Sequence, residues 1–422
     1  MNGKEKLKNA LSHIEGPVPV DFGGAGVTGM HCSIVEKLRE RLGLEKRPVV
    51  VSEPYQMLGE IDRDLREALN IDIAGIYTMY DIFGLKHDGK TKEWITPWGQ
   101  NVLMPGNFEF SNDEKGSVLI YPRGNRNTRP SAIMPKSGKF FDSIIRQEEI
   151  DDQSLNAKDN LEEFVEYDPE SLDYISKKVE EARTSNSGVI GTPGGTALGD
   201  IALVPGPGLE NPKGIRDVEE WYISMVARRD YLSELFDRQT DIAIANLKKY
   251  FDVAGNDVDA VLICGTDFGT QQSAFCSIQT LRELYVPYYR KMNDWIHRNT
   301  EWKVFKHCCG AVEPFIGELY DCGFDIINPV QWTAKGMDRA ELKKKYGDRV
   351  VFWGGGVDTQ KTLPFGTPGQ VYDEVLECLK IFGKNGGFVF SSIHNIQAKT
   401  PIDNIIAMFN AVYKYNGISK IL

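Results

Sequence analysis

Eight short apolar runs, each closing on Gly, Asp, Asn, His or another small polar group, constrain this chain more than any other feature. They are VPVDF (18–22), IDIAGIY (71–77), GVIGTP (188–193), DAVLICG (259–265), KVFKHC (303–308), FDIINPV (324–330), RVVFWGG (349–355) and GFVFSS (387–392). Runs of this length without strict alternation are strands buried on both faces, and helical patterns separate the later ones. Residues 217–251 and "TLRELYVPYYRKMNDWIHR" read as helices. "VEPFIGELYDCG" stops at Gly323, and 367–383 has Thr367 as N-cap, Pro368 at the first position and Gly383 as stop. Repeated strand-helix alternation means βα units, and eight of them favour a closed (β/α)8 TIM-type barrel over an open sheet.

Residues 84–165 break this rhythm. "LKHDGKTKEWITPWGQNVLMPG" carries Asp88-Gly89 in an alternating context, a hairpin signal, and the following stretch is rich in Pro, Gly and Asn. The expectation is a single barrel domain over 1–422 with a β-rich, cap-like subdomain inserted at 84–165 after the second strand. Its acidic end, up to about 170, reads as a solvated helical return.

Composition narrows the function classes. The 422 residues carry a net charge of −11 with Lys and Arg dispersed, so nucleic acid is not an expected partner. There is no apolar run near the roughly 20 residues that span a bilayer, and the N-terminus lacks the apolar segment of a signal peptide. A cytoplasmic location is expected, where Cys32, Cys264, Cys276, Cys308, Cys309, Cys322 and Cys378 serve as thiols, ligands or nucleophiles.

In a barrel the chemistry sits at the C-terminal strand ends. The runs lead there to Asp81, Asp267, His307 with Cys309, Asn328 with Gln331, Asp358, and His394 with Asn395. His307 and Cys309 are i and i+2 on a strand and face the same way. Cys308 faces the helix layer, where a thiol packs as a small hydrophobe. A catalytic zinc takes three protein ligands, and His394, across the barrel mouth, can be the third. The alternatives are buried packing for the cysteines and histidines, and helix caps or loop braces for Asp81 and Asp267. "GTPGGTALGD" (191–200) offers backbone N–H groups to a phosphate but lacks a P-loop lysine.

The stretches "KHCCGAVEPFIGELYDCGFDIINPVQ", "DRVVFWGGGVDTQKTLPFGTPGQVYDEV" and "GGFVFSSIHNIQAKTPIDNIIAMFNAVYKY", with "VPVDFGG" and "DIAGIYTMYDIFG" earlier, resemble the uroporphyrinogen decarboxylase superfamily. The resemblance implies a distorted (β/α)8 barrel and one of two chemistries. True decarboxylases carry an arginine-rich stretch after the first strand; here that region reads "VDFGGAGVTGMH", with no arginine before Arg39. The other branch, zinc-dependent methyltransferases of corrinoid systems, is similar in its His-x-Cys after strand five. Coenzyme M methyltransferases place a cysteine as third ligand a few residues before a Thr-Pro, and counting back from Thr400-Pro401 gives His394. That departure implies a His/Cys/His set, harder than His/Cys/Cys and better suited to an oxygen or amine substrate than to a thiol.

The resemblance thus implies Zn2+ on His307, Cys309 and His394, and a methyl group moving from a small methylated substrate, such as an aryl methyl ether, to a corrinoid carried by a partner protein. Asp81 and Asp267 are the expected catalytic or orienting carboxylates. Tyr80, Phe83, Phe268, Asn328, Gln331 and Trp332 are the expected substrate contacts, with core or cap packing as the alternative for the aromatics. Competing readings are a decarboxylase of uroporphyrinogen or a smaller acid, a methylcobamide:thiol methyltransferase, and a non-catalytic binding barrel. A homodimer is the expected assembly.

Overall fold

A computed structural model of the chain describes residues 1–419 and 421–422. Its centre is a seven-stranded parallel sheet: β1 (Ile73–Ile76), β2 (Gly188–Gly191), β3 (Ala260–Cys264), β4 (Lys303–His307), β5 (Ile326–Asn328), β6 (Val351–Trp353) and β7 (Phe388–Val389), neighbours in space as in sequence. Seven of the eight apolar runs supply these strands. The first contributes a parallel bridge between Val20 and Phe390. Hydrogen bonds from it reach both edges of the sheet: Asp21 N–H donates to Phe390 O at 2.8 Å and Asp72 N–H to Val20 O at 2.8 Å. Pro19 has no N–H and interrupts a longer ladder there. Asp72 adds a second tie, accepting Val20 N–H at 2.9 Å and pairing with Lys6 at 3.0 Å.

The residues facing the barrel interior form one apolar cluster, including Ile73, Ile190, Ala260, Phe305, Ile326, Val351, Trp353 and Val389. Leu7, Ala10 and Leu11 of the helix Gly3–Leu11 join it and seal the N-terminal end. A larger cluster lies between the strands and the surrounding helices. Two apolar layers explain why the strand runs do not alternate.

The helices depart from the expected pattern where physics dictates. The reading of 280–298 as one helix is corrected to Ile278–Leu284 and Val286–Asn299, because Pro287 can occupy only the first turn of a helix. The 217–251 segment likewise divides into Val218–Ala227 and Arg229–Ala254 around Arg228, whose backbone (φ −130°, ψ 45°) leaves the helical region. The guanidinium of Arg228 is held there by Asp152 at 2.5 Å and Glu220 at 3.0 Å. The helix Pro368–Phe382 carries the capping box of Thr367 and Gln370.

Between β1 and β2 the chain forms antiparallel strands. Thr91–Ile95 pairs with Asn101–Pro105, and Phe110–Asn112, Val118–Ile120, Ala132–Met134 and Asp142–Ser143 make a four-stranded sheet. The hairpin is closed by Thr96–Gln100 rather than by Asp88-Gly89. Thr96 N–H donates to Gln100 O at 2.9 Å, and Gly99 takes φ +81°. Asn101–Pro105 also pairs in parallel with Val49–Glu53, a strand outside the eight runs. No helix among the described residues is long and apolar enough to cross a membrane.

Candidate metal centre

His307 is the last residue of β4, and its inward orientation follows from Phe305, two residues earlier, which points into the interior cluster. Cys309 continues that alternation. His394 lies on the loop after β7. One ligand atom from each of His307, Cys309 and His394 lies within 4.8 Å of the others. The Cys309 Sγ is 3.3 Å from His307 Nε2, and the two imidazole centroids are 5.5 Å apart at 72°. Tetrahedral bonds of about 2.0 and 2.3 Å put nitrogen and sulfur about 3.5 Å apart, so the pair fits a shared zinc ion.

Each ligand is oriented by the strand or loop beside it. Asn328 pairs with His307 across the β4–β5 ladder, and its Oδ1 lies 2.6 Å from His307 Nδ1. The Asn328 amide is itself fixed, because its Nδ2 donates to Trp353 O at 2.8 Å. Oδ1 can therefore only accept, Nδ1 carries the proton, and the lone pair of Nε2 faces Cys309 and His394. The Cys309 N–H donates to Asp267 Oδ1 at 2.6 Å. The next residue, Gly310, has φ +92°, a conformation that permits its N–H to reach Gln331 Oε1 at 2.8 Å. On the loop of His394, Ser392 Oγ donates to the His394 carbonyl at 2.6 Å. Asn395 accepts Gly29 N–H at 2.6 Å and donates to Gly26 O at 2.9 Å and Gln56 Oε1 at 3.0 Å. The loop after the first run thus holds the loop after the last.

The electrostatics favour neutral nitrogen ligands. Burial lowers His307 to about 4, partly opposed by its hydrogen bond to Asn328 and reinforced by Lys306. Burial and His307 lower His394 to about 4, against the pull of Asp267. Both imidazoles are uncharged near neutrality, the state that binds metal. Burial, then Asp267 and Cys308, push the Cys309 thiol well above its ordinary value. A thiolate there calls for a compensating cation, and a divalent ion on the same three atoms supplies one.

Asp200 reaches this neighbourhood from the loop after β2. A Cβ on Gly265 would stand 2.7 Å from Asp200 Oδ2 and 4.0 Å from His307 Cδ2, so only glycine at the end of β3 leaves room for the carboxylate. Burial raises Asp200, with Asp267 contributing to the rise, and the same burial raises Asp267. Asp200 ends the "GTPGGTALGD" run, which the sequence offers only as a phosphate-binding backbone, and its proximity to His307 depends on the packing of β2 and β3. Lys306 was the other missed residue; a lysine inside an apolar strand is a local irregularity that signals a special role.

Several expected site residues are placed elsewhere. Asp81 accepts Phe83 N–H at 2.9 Å and Leu85 N–H at 3.0 Å and meets His87 Nε2 at 3.1 Å, so it braces its own loop and is not in the His/Cys/His cluster. Phe83 and Phe268 are fully buried. Phe83 packs on Tyr55 and Phe141, and Phe268 on Tyr285 and Phe315, the packing role that stood as the alternative to a substrate wall. Asn328, expected as a substrate contact, has both ends of its amide engaged, by His307 and by the Trp353 carbonyl. Gln331 bridges Gly310 and Gln271. Trp332 donates to Gly355 O at 2.8 Å with the Arg339 guanidinium over its ring. Tyr80 is exposed.

Comparison with known proteins adds a family and a fold. The family described as uroporphyrinogen decarboxylase (URO-D) matches residues 140–415. A uroporphyrinogen decarboxylase of Dechloromonas aromatica (strain RCB) is 25% identical over 260 residues, 60% of this chain and 66% of that protein. One of Psychromonas ingrahamii is 34% identical over 96 residues, 23% of this chain and 25% of that protein. The matches therefore span less than two thirds of these relatives. A solved methyltransferase from Methanosarcina mazei shares the fold, with a TM-score of 0.54 at 15% identity and 98% of both chains covered.

Proposed function

This chain belongs to the uroporphyrinogen decarboxylase family, and we propose that within it the protein is a zinc-dependent methyltransferase, transferring methyl from a small methylated substrate to the corrinoid of a partner protein. The observation that carries this reading is the convergence of His307, Cys309 and His394, with His307 oriented by Asn328. Zinc held by these three residues would supply a Lewis acid to the oxygen of a methyl ether, whose basicity otherwise makes it a poor leaving group.

The chain's own residues have definable parts. Asn328 keeps the His307 proton on Nδ1, which leaves Nε2 free as a donor. Asp267 anchors the Cys309 backbone, and Asp200 brings a second buried carboxylate to a hydroxyl or amine beside the transferred methyl. The carbon–oxygen bond breaks with its electron pair left on oxygen, so methyl passes on as a cation equivalent to a nucleophile aligned behind it. Productive alignment needs the reacting atoms about 3–3.5 Å apart, so the partner has to dock at the barrel mouth. The strands of 84–165 we read as a cap-like subdomain above that mouth.

The names of the relatives favour a second reading, a decarboxylase. A substrate with several carboxylates needs cations that are free to meet it. The first arginine after the first run, Arg39, is already engaged by Asp62 at 2.7 Å, Asp64 at 2.7 Å and the Glu45 carbonyl. Incubation with a reduced corrinoid protein and a panel of methyl ethers, followed by the cobalt absorption spectrum, separates the readings. Methylation that requires Cys309 supports the proposal. Turnover of uroporphyrinogen without any metal would replace it.

A further inference from the structure

Lys306 has no exposed surface, yet it carries an ammonium group on the face of β4 that turns toward the helices. Burying such a charge is costly unless its hydrogen bonds are met. Its Nζ donates to Thr266 O at 2.5 Å and to the His307 carbonyl, and it lies 5.3 Å from the centre of the Phe268 ring. The two carbonyls stand at the ends of neighbouring strands, β3 and β4, just where their ladder is broken. Pairing runs in register from Ala260 and Lys303 to Leu262 and Phe305, then shifts before Cys264 and Lys306. Backbone pairing resumes only at Ala311 N–H to Thr270 O, 2.8 Å.

Between those points, three hydrogen-bonding links that involve side chains join the two segments. They are the Lys306 ammonium, the Cys309 N–H on Asp267 at 2.6 Å, and the Phe268 N–H on Cys308 Sγ at 3.2 Å. Of these, only the lysine can donate to both strand ends at once. A methionine of similar length would fill the space without the desolvation cost of a charge, though it would leave two carbonyls without a donor, so the two costs offset and stability alone does not call for a lysine here. We propose that Lys306 is a positioning residue for the metal centre: its ammonium closes the broken seam between β3 and β4 and so holds Cys309 against His307. The inference rests on the metal reading above.

The test compares wild type, Lys306→Met and Lys306→Gln by zinc affinity against a chromophoric chelator, by the thiolate-to-metal absorption of the cobalt(II)-substituted protein, and by urea denaturation of the metal-free form. Lys306→Met trades the desolvation cost of the charge against two carbonyls left without their donor, so the metal-free protein should stay folded, with zinc binding weakened by about tenfold or more and the cobalt spectrum altered. Lys306→Gln, which retains N–H donors, should recover part of that loss, and it carries the test if the methionine variant does not fold. Affinity within about twofold of wild type with an unchanged cobalt spectrum would overturn the proposal, as would a loss of stability with unchanged affinity. A wild-type protein that binds no zinc sinks the metal reading and this proposal together, whereas a zinc-loaded wild type matched by both variants sinks Lys306 alone.

Discussion

Replacing Asn328 with leucine keeps the number and branching of side-chain heavy atoms and removes two hydrogen bonds at once, to His307 Nδ1 at 2.6 Å and to Trp353 O at 2.8 Å. Asn328 is 1% exposed, so neither partner can turn to water. Each stranded buried group costs about 1–3 kcal/mol, which sets the expected loss of folding free energy at about 2–6 kcal/mol before relaxation. The His307 ring also loses the contact that selects its tautomer. Loss of such an outer partner weakens metal binding by roughly 10–100-fold, or about 1.4–2.8 kcal/mol. Competition with a chromophoric chelator at about pH 7, where both histidines are neutral, reads that change. Asn328→Asp gives the complementary result: its carboxylate still accepts from Nδ1–H, so zinc affinity should be held near wild type, while repulsion from the Trp353 carbonyl lowers stability. A folded Asn328→Leu protein with wild-type zinc affinity would refute the assignment of Asn328 as the orienting partner.

Two further outcomes test other parts of the account. Gly265→Ala drives a methyl group to 2.7 Å from Asp200 Oδ2 and should cost about 1–3 kcal/mol in urea denaturation; a neutral result would mean that Asp200 is not held where it is described. His31 caps the helix Cys32–Arg41 by accepting Ser33 N–H at 3.1 Å, while its Nε2 meets Lys139 O at 2.9 Å. Burial, with help from the Lys139 and Lys37 charges, lowers its pKa to about 4. Because the folded value is depressed, the stabilising contribution is complete above about pH 6.5 and is lost as pH falls toward 4, about 3 kcal/mol in total. Denaturation between pH 7 and 4 should show His31→Gln losing less stability than wild type by about that amount, and parallel curves would contradict the sign.

How far sequence could reach is clearest at particular residues. Hydrophobic runs are dictated by burial on both faces, so all eight were readable, yet Pro19 reduces the first to a bridge that no apolar count anticipates. Pro287 announced a helix break in plain view; Arg228, whose backbone leaves the helical region and whose guanidinium pairs with Asp152 and Glu220, did not. The His307 and Cys309 pair was legible because strand periodicity is local, and His394 because a barrel brings distant strand ends together. The role of Asn328 was not, since it depends on the β4–β5 register. Asp200 and Lys306 were missed for the same reason: one acts through the space left by Gly265, the other through a break in the ladder. Phe83 and Phe268 show why an aromatic near a site is ambiguous in sequence: both are fully buried and packed against other rings, which periodicity alone does not distinguish from a substrate wall.

The central claim is the shared ion on His307, Cys309 and His394. X-ray absorption at the zinc edge of the purified protein tests it most directly, with metal content measured on the same sample for wild type and the alanine variant of each ligand. The account predicts close to one zinc per chain, a first shell of one sulfur and two imidazole nitrogens with a light-atom fourth ligand, and loss of the ion in all three variants. Less than about half an equivalent of zinc, a shell with two or more sulfurs, or a His394→Ala protein that keeps its zinc would contradict it.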